Sequence, residues 1–175
     1  MAVIEAIATT YLEADAASVT FSSLGTYQHL QIRFSVRTVR ASDLETVGIR
    51  FNGVSTNTYA TNRFYGTGTS EAAGPEITTS RAYAAGQMPT ATMHPRTVYG
   101  VGLVDILDYG NANKNTTVQF ASSEVGTDAT HYVTTGAGLW DAVAAVTSVT
   151  LYPANGSAGF LRGSEFTVYG LKAAN

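Results

Sequence analysis

Cysteine is absent from the chain. That removes a disulfide framework, a thiol nucleophile and a thiolate metal site together, so a stable fold has to rest on packing. Charge is scarce as well: Asp, Glu, Lys and Arg make up 13% of the 175 residues, about half the usual share for a soluble protein. A surface with so few charges points to broad coverage by partners. The formal net charge of -3 comes without the concentrated basic stripe that a phosphate-binding surface needs, so nucleic acid is not an expected partner. The opening stretch MAVIEAIATTYLEAD carries acidic Glu5 ahead of any basic residue and holds no sustained apolar run. Neither a secretory signal nor a membrane partner is expected from it; a product of the cytoplasm is.

Spacings that carry chemistry are missing too. His29, His94 and His131 lie far apart with no HxH or HExxH around them, which reads as surface or turn histidines. Asp105 and Asp108 with Asn111 and Asn113 have a loose oxygen-donor spacing. The glycine and terminal glutamate of a calcium loop are not there, so turn capping is the expected role. No GxSxG elbow occurs, and no GK[ST] follows the glycines Gly66, Gly68 and Gly74. No catalytic residue, cofactor or metal is expected, and the chain reads as a non-enzyme. Trp140 is the single tryptophan, so the usual sugar-stacking residue is scarce, although ten tyrosines leave glycan stacking as an alternative.

What is present is alternation. Tyr27 to Arg37 places Leu30, Ile32, Phe34 and Val36 on one face and His29, Gln31, Arg33, Ser35 and Arg37 on the other, the period of a half-buried strand. Val19 with Phe21, Val47 with Ile49 and Phe51, Val149 with Leu151, and Phe166 with Val168 repeat it. Asn52-Gly53 is a type I' signal and predicts a hairpin leading to Thr58, Ala60 and Arg63 to Tyr65. Thr97 to Leu107 is apolar on both faces and predicts a central strand. Gly100 and Gly102 leave a bare lane in it for a large ring or another backbone. Leu139 to Val146 is the only helix-like segment.

These patterns predict an all-β chain: a two-sheet antiparallel sandwich with one short helical turn at most, spanning 1–175 as a single domain. Its expected core includes Phe21, Leu30, Ile32, Phe34, Ile49, Phe51, Leu103, Ile106, Phe120, Leu151 and Phe166. Residues 1–11 form an edge strand or an arm. The small, polar tract 66–96 is an irregular insertion with one or two short strands. Arg33 and Arg37 lie on one polar face with Arg50 across from them, as in a salt-bridged subunit interface. With Tyr65, Tyr83 and Arg96 they form the expected interface set. Exposed sheet edges and few charges predict self-association, as a trimer.

Several blocks together resemble a family of small virion proteins from tailed bacteriophages of aquatic bacteria. They are TYLEADAASVTFSSLGTYQHLQIRFSVR (Thr10 to Arg37), VGIRFNG (Val47 to Gly53), VDILDYGNANKNTTVQ (Val104 to Gln119), GLWDAVAAVTSVTLYPANG and the closing FTVYGLK. Thr67 to Pro95 departs from the family. The resemblance implies a jelly-roll-like sandwich and a non-enzymatic structural component of the virion, made in the host cytoplasm. Its partners would be the major capsid protein or other virion proteins. Small size and low charge favour a capsid decoration (cement) protein that stabilises the head shell. The alternative is a tail or head-fibre component that binds host surface glycan.

Overall fold

The computed structural model describes residues 3–41, 44–91, 98–125, 131–156 and 159–172. The first six strands are β1 (Val3–Tyr11), β2 (Val19–Ser22), β3 (His29–Val36), β4 (Leu44–Phe51), β5 (Tyr59–Gly66) and β6 (Glu71–Thr79). Then come β7 (Ala82–Pro89), β8 (Gly100–Ile106), β9 (Thr116–Val125), β10 (His131–Trp140), β11 (Ser148–Pro153) and β12 (Glu165–Lys172). An eight-stranded sheet runs β1-β12-β3-β8-β9-β10-β5-β6, and a four-stranded sheet runs β2-β11-β4-β7.

Within that order lies a jelly roll. β1 pairs with β12, β2 with β11, β3 with β8 and β4 with β7, all antiparallel, as when one long hairpin is rolled up. The hairpins β5–β6 and β9–β10 are inserted between β4 and β7 and between β8 and β11. Both extend the large sheet beyond β8. The chain closes on a core strand, β12, held between β1 and β3.

The core lies between the sheets. Every residue of the expected core is buried except Leu103, which is half-exposed. The bare lane in β8 is filled: a Cβ on Gly102 would collide with the Phe34 ring, and one on Gly100 would lie 2.8 Å from the Met88 sulfur. Phe34 continues to Phe166 at 6.0 Å between centroids, and Phe166 meets Phe160 edge-on at 4.8 Å. At the other end Phe51, Tyr59 and Trp140 form a second aromatic cluster.

Four expectations change. Asn52 and Gly53 have φ of 53° and 70°, so the turn is made, but it joins β4 in the small sheet to β5 in the large one. It is a corner between sheets rather than a hairpin, because β4 takes its hydrogen bonds from β11 and β7. The tract 66–96 holds the two strands expected inside it, β6 and β7, but at 9 and 8 residues they are full strands that take up most of its described part rather than short ones in irregular chain. Alanine and glycine there serve close approach: Ala82, Ala84, Ala85 and Gly86 are all buried, and a Cβ on Gly86 would collide with Thr134 of β10.

Leu139 to Val146 is not helical. β10 runs on to Trp140, and the backbone then bonds outward, Asp141 N to Thr58 O at 2.7 Å and Val146 N to Tyr109 O at 2.8 Å. A segment this short cannot repay helix nucleation against such long-range bonds. Lastly, β8 is central in its sheet, yet only Gly100, Val104 and Ile106 are buried, while Val101 is 52% exposed.

Candidate interaction surfaces

The exposed side of β8 belongs to the outer face of the large sheet. Strand register sets Thr167, Arg33, Leu103, Ala121, Thr135 and Phe64 in one row across β12, β3, β8, β9, β10 and β5. Glu165, Ser35, Val101, Ser123, Val133 and Gly66 form the next. Because side chains alternate across a strand, both rows point away from the core. The middle is apolar, with Phe64, Val101 and Val133 each at least half exposed.

A shallow groove of about 700 Å³ crosses this face between Tyr169 and Val133. Its rim is polar and ordered. The Arg33 guanidinium lies 5.3 Å from the centre of the Tyr169 ring and donates from Nε to Gln31 Oε1 at 2.9 Å. Gln31 Nε2 in turn donates to Asp105 Oδ1 at 2.8 Å.

The second surface starts on the outer face of the small sheet and continues onto the overhanging β5–β6 hairpin. Arginine and tyrosine alternate along it. Arg50 lies 4.3 Å over the Tyr152 ring, Arg81 5.4 Å over Tyr83, and Arg63 5.0 Å over Tyr83 and 5.7 Å over Tyr65. Tyr65 packs against Tyr132 at 6.1 Å. Gly48 leaves the room for Arg81 and Tyr152 to meet, since a Cβ there would lie 2.9 Å from Arg81 Cδ and 3.1 Å from the Tyr152 ring.

Glu76 accepts the Tyr83 hydroxyl and lies 4.0 Å from Arg63 Nη2. Burial raises the pKa of Tyr83, with the Glu76 hydrogen bond adding to it, and burial raises Tyr152 and Tyr132. Neutral phenol rings therefore face the guanidinium groups, the arrangement that cation–π attraction requires. Arg63 Nη1, Arg81 Nε and Tyr152 Oη are buried without a hydrogen-bond partner among the described residues, and the two guanidinium groups lie over tyrosine rings.

The expected interface set is thus divided. Arg50, Tyr65 and Tyr83 fall in the ladder, and Arg33 sits on the rim of the groove. Arg37 is 6% exposed and donates to the carbonyls of Thr90 and Ala91 at 3.2 and 3.1 Å, so it ties β3 to the end of β7 instead of standing on the outer face. Strand β3 ends at Val36, and the alternation that put Arg37 outward ends with it. Arg50 is in the other sheet from Arg33 rather than across from it. Arg96 lies outside the described residues, as does His94.

Sequence reasoning missed Arg63, Arg81 and Tyr152, and it buried Val101. The available signal was parity: Val101, Ala121 and Val133 fall on one face once their strands are in register.

Asp108 is a turn residue, as expected. It has φ of 54°, donates its backbone N–H to His29 Nδ1 at 2.9 Å and pairs with Lys114 Nζ at 2.7 Å. The hydrogen bond from Lys114, followed by that from Asn111, lowers its pKa. Among the described residues no three His, Asp or Glu side chains are grouped as metal ligands, and no helix is long and apolar enough to cross a membrane. No family model matches the chain, and no curated protein matches it with significance.

Proposed function

We propose that this chain is a non-enzymatic structural protein of a tailed-bacteriophage particle, a decoration protein that clamps over joints in the head shell. The observation that carries the reading is the outer face of the eight-stranded sheet, broad and apolar in the middle at Val101, Leu103, Val133 and Phe64, with its charges, Arg33, Asp105 and Glu165, to one side. Eight strands spaced about 4.8 Å apart and some seven residues long cover roughly 800 Å², the area one partner contributes to a standard stable interface. Apolar side chains left open at the centre of so broad a face mark a surface made to be covered. Cohesion needs wide contact, which a face supplies and a cleft does not. The resemblance of the strand blocks to small virion proteins supports the same reading, and the major capsid protein is the proposed partner.

A host glycan would need aromatic rings open to solvent and grouped in one place. Tyr169 is faced by Arg33 and the ladder tyrosines Tyr65, Tyr83 and Tyr152 by arginines, while the open rings Tyr11 and Phe64 stand toward opposite ends of the large sheet, on β1 and β5. Docking of the apolar face is therefore preferred over glycan stacking. The test is to strip the protein from particles, add back either the native chain or the Val101→Lys, Val133→Lys variant, and challenge with heat and osmotic shock. The native chain is expected to restore particle survival and the variant to fail. Particles that stay fully stable without the protein yet no longer adsorb to cells reject the cement role in favour of glycan binding.

A further inference from the structure

The two sheets end in four edges, β1 and β6 on the large sheet and β2 and β7 on the small one, and three of them are closed. Strand β2 is only four residues long. On β7 the backbone N–H of Tyr83 donates to Thr61 Oγ1 at 3.1 Å and that of Gly86 to Ser122 Oγ at 2.9 Å, so hydroxyls from the large sheet occupy its free side. Strand β6 carries Pro75, which lacks an N–H, together with Glu71 and Glu76, the devices that keep strands from pairing. Strand β1 is less protected. Over nine residues it has no proline and no lysine or arginine, it exposes Val3, Ile4 and Tyr11, its devices are one bulge at Ile7 and one charge at Glu5, and among the described residues its backbone bonds only to β12.

Its one charge is already engaged. The Glu5 carboxylate accepts the Tyr27 hydroxyl at 2.9 Å, and Lys172 Nζ lies 5.0 Å from the same ring. We infer that β1 is the edge through which two copies of this chain join, antiparallel, so that their large sheets run on as one.

A bulge at Ile7 limits the register. Ala6 stands opposite Tyr169 and Ala8 opposite Val168, so Val3 and Glu5 share the inner face with Ala8 and Thr10, and Ile4 shares the outer face with Thr9 and Tyr11. Matching inner to inner and outer to outer leaves two registers, one pairing Val3 with Thr10 of the second copy, Ile4 with its Thr9 and Glu5 with its Ala8, the other pairing Ile4 with Tyr11, Glu5 with Thr10 and Ala6 with Thr9. A slip of one residue from either would turn every side chain to the wrong face. The first register is the one inferred, since it sets each carboxylate beside an alanine and keeps the two Glu5 residues apart.

Antiparallel pairing in one sheet requires a two-fold axis perpendicular to it. Both apolar outer faces therefore point the same way. The arrangement is two-fold rather than the expected trimer, because no closed edge is complementary to β1. It rests on the edges alone and stands independently of the proposed function.

Sedimentation at tens of micromolar is expected to give twice the chain mass of 18.4 kDa. A mass of one chain or of three overturns the inference. Ile4→Lys with Tyr11→Lys, both at exposed positions, is expected to weaken the dimer at least tenfold while leaving the strand signal in circular dichroism unchanged. A dimer that survives both lysines places self-association elsewhere. The second test uses the native lack of cysteine. Ile4→Cys with Thr9→Cys is expected to give a covalent dimer on mild oxidation. Ile4→Cys alone is expected to give none, since its two copies would stand about 16 Å apart and a disulfide needs Cα atoms within roughly 7 Å. Equal cross-linking by the single and double variants, or none by the double, overturns the register.

Discussion

The two outer faces of the sandwich are opposite in kind. On the large sheet, Val101, Val133 and Phe64 lie open to solvent. On the small sheet, arginines and tyrosines cover one another, and the surface is largely complete in itself. Substitution therefore separates them. A residue in the ladder stabilises the fold, whereas a residue on the apolar face contributes to an encounter and little to the monomer.

The largest effect comes from beneath the apolar face. Phe34 is buried against Phe166 and over Gly102, so Phe34→Ala is expected to cost about 3 to 5 kcal/mol from lost transfer energy and the cavity left behind. Chemical denaturation measures it, and a shift below about 1 kcal/mol would remove Phe34 from the core.

Arg63→Ala comes next. It unstacks Tyr65 and Tyr83 and leaves Glu76 without its cation, at an expected cost of about 1 to 2 kcal/mol. A loss under about 0.3 kcal/mol would show that the ladder is surface decoration, and the contrast between the faces would fail. Val101→Lys should change monomer stability by less than about 0.5 kcal/mol while weakening attachment to particles. A destabilisation as large as that of Arg63→Ala would mean the two faces are equivalent.

The smallest effect is at Asp108. Its pKa is lowered from 3.8 in the folded chain by Lys114 and Asn111, so the stability it adds is present above the unfolded pKa and is lost as the pH falls through the folded one. Melting curves of the native chain and of Asp108→Asn are therefore expected to differ at pH 7 and to converge in acid, once the pH has fallen through the lowered folded pKa. A difference that persists in acid would rule out the carboxylate as its source.

Much of this molecule was legible in local chemistry. Leu30, Ile32, Phe34 and Val36 alternate because a half-buried strand has period two, and all four are buried. Gly100 and Gly102 announced a close approach, and Phe34 makes it. Asn52-Gly53 announced a turn with positive φ at both positions, and that turn exists. The two-sheet sandwich was anticipated from the alternating strands, whereas the jelly-roll order was expected only from the resemblance; the pairing of β1 with β12 and of β12 with β3 makes it.

Pairing was not legible, and the errors follow from that. A turn signal tells where the chain reverses but not which strand receives the hydrogen bonds, so β4 and β5 read as a hairpin although they lie in different sheets. Residues 66–96 looked irregular because half of β7 is alanine and glycine, whose smallness makes sense only against Thr134 and Gly138 of the opposing sheet. Arg50, Arg63 and Arg81 are spread over three strands, β4, β5 and the approach to β7, and no spacing in the sequence joins them.

Side-chain periodicity is a property of one strand and can be read from its residues. The outer face, the ladder and the open edge at β1 are properties of strands that meet across long stretches of chain. Burial of the shared core selected those neighbours, and with them which alternating face is left to water.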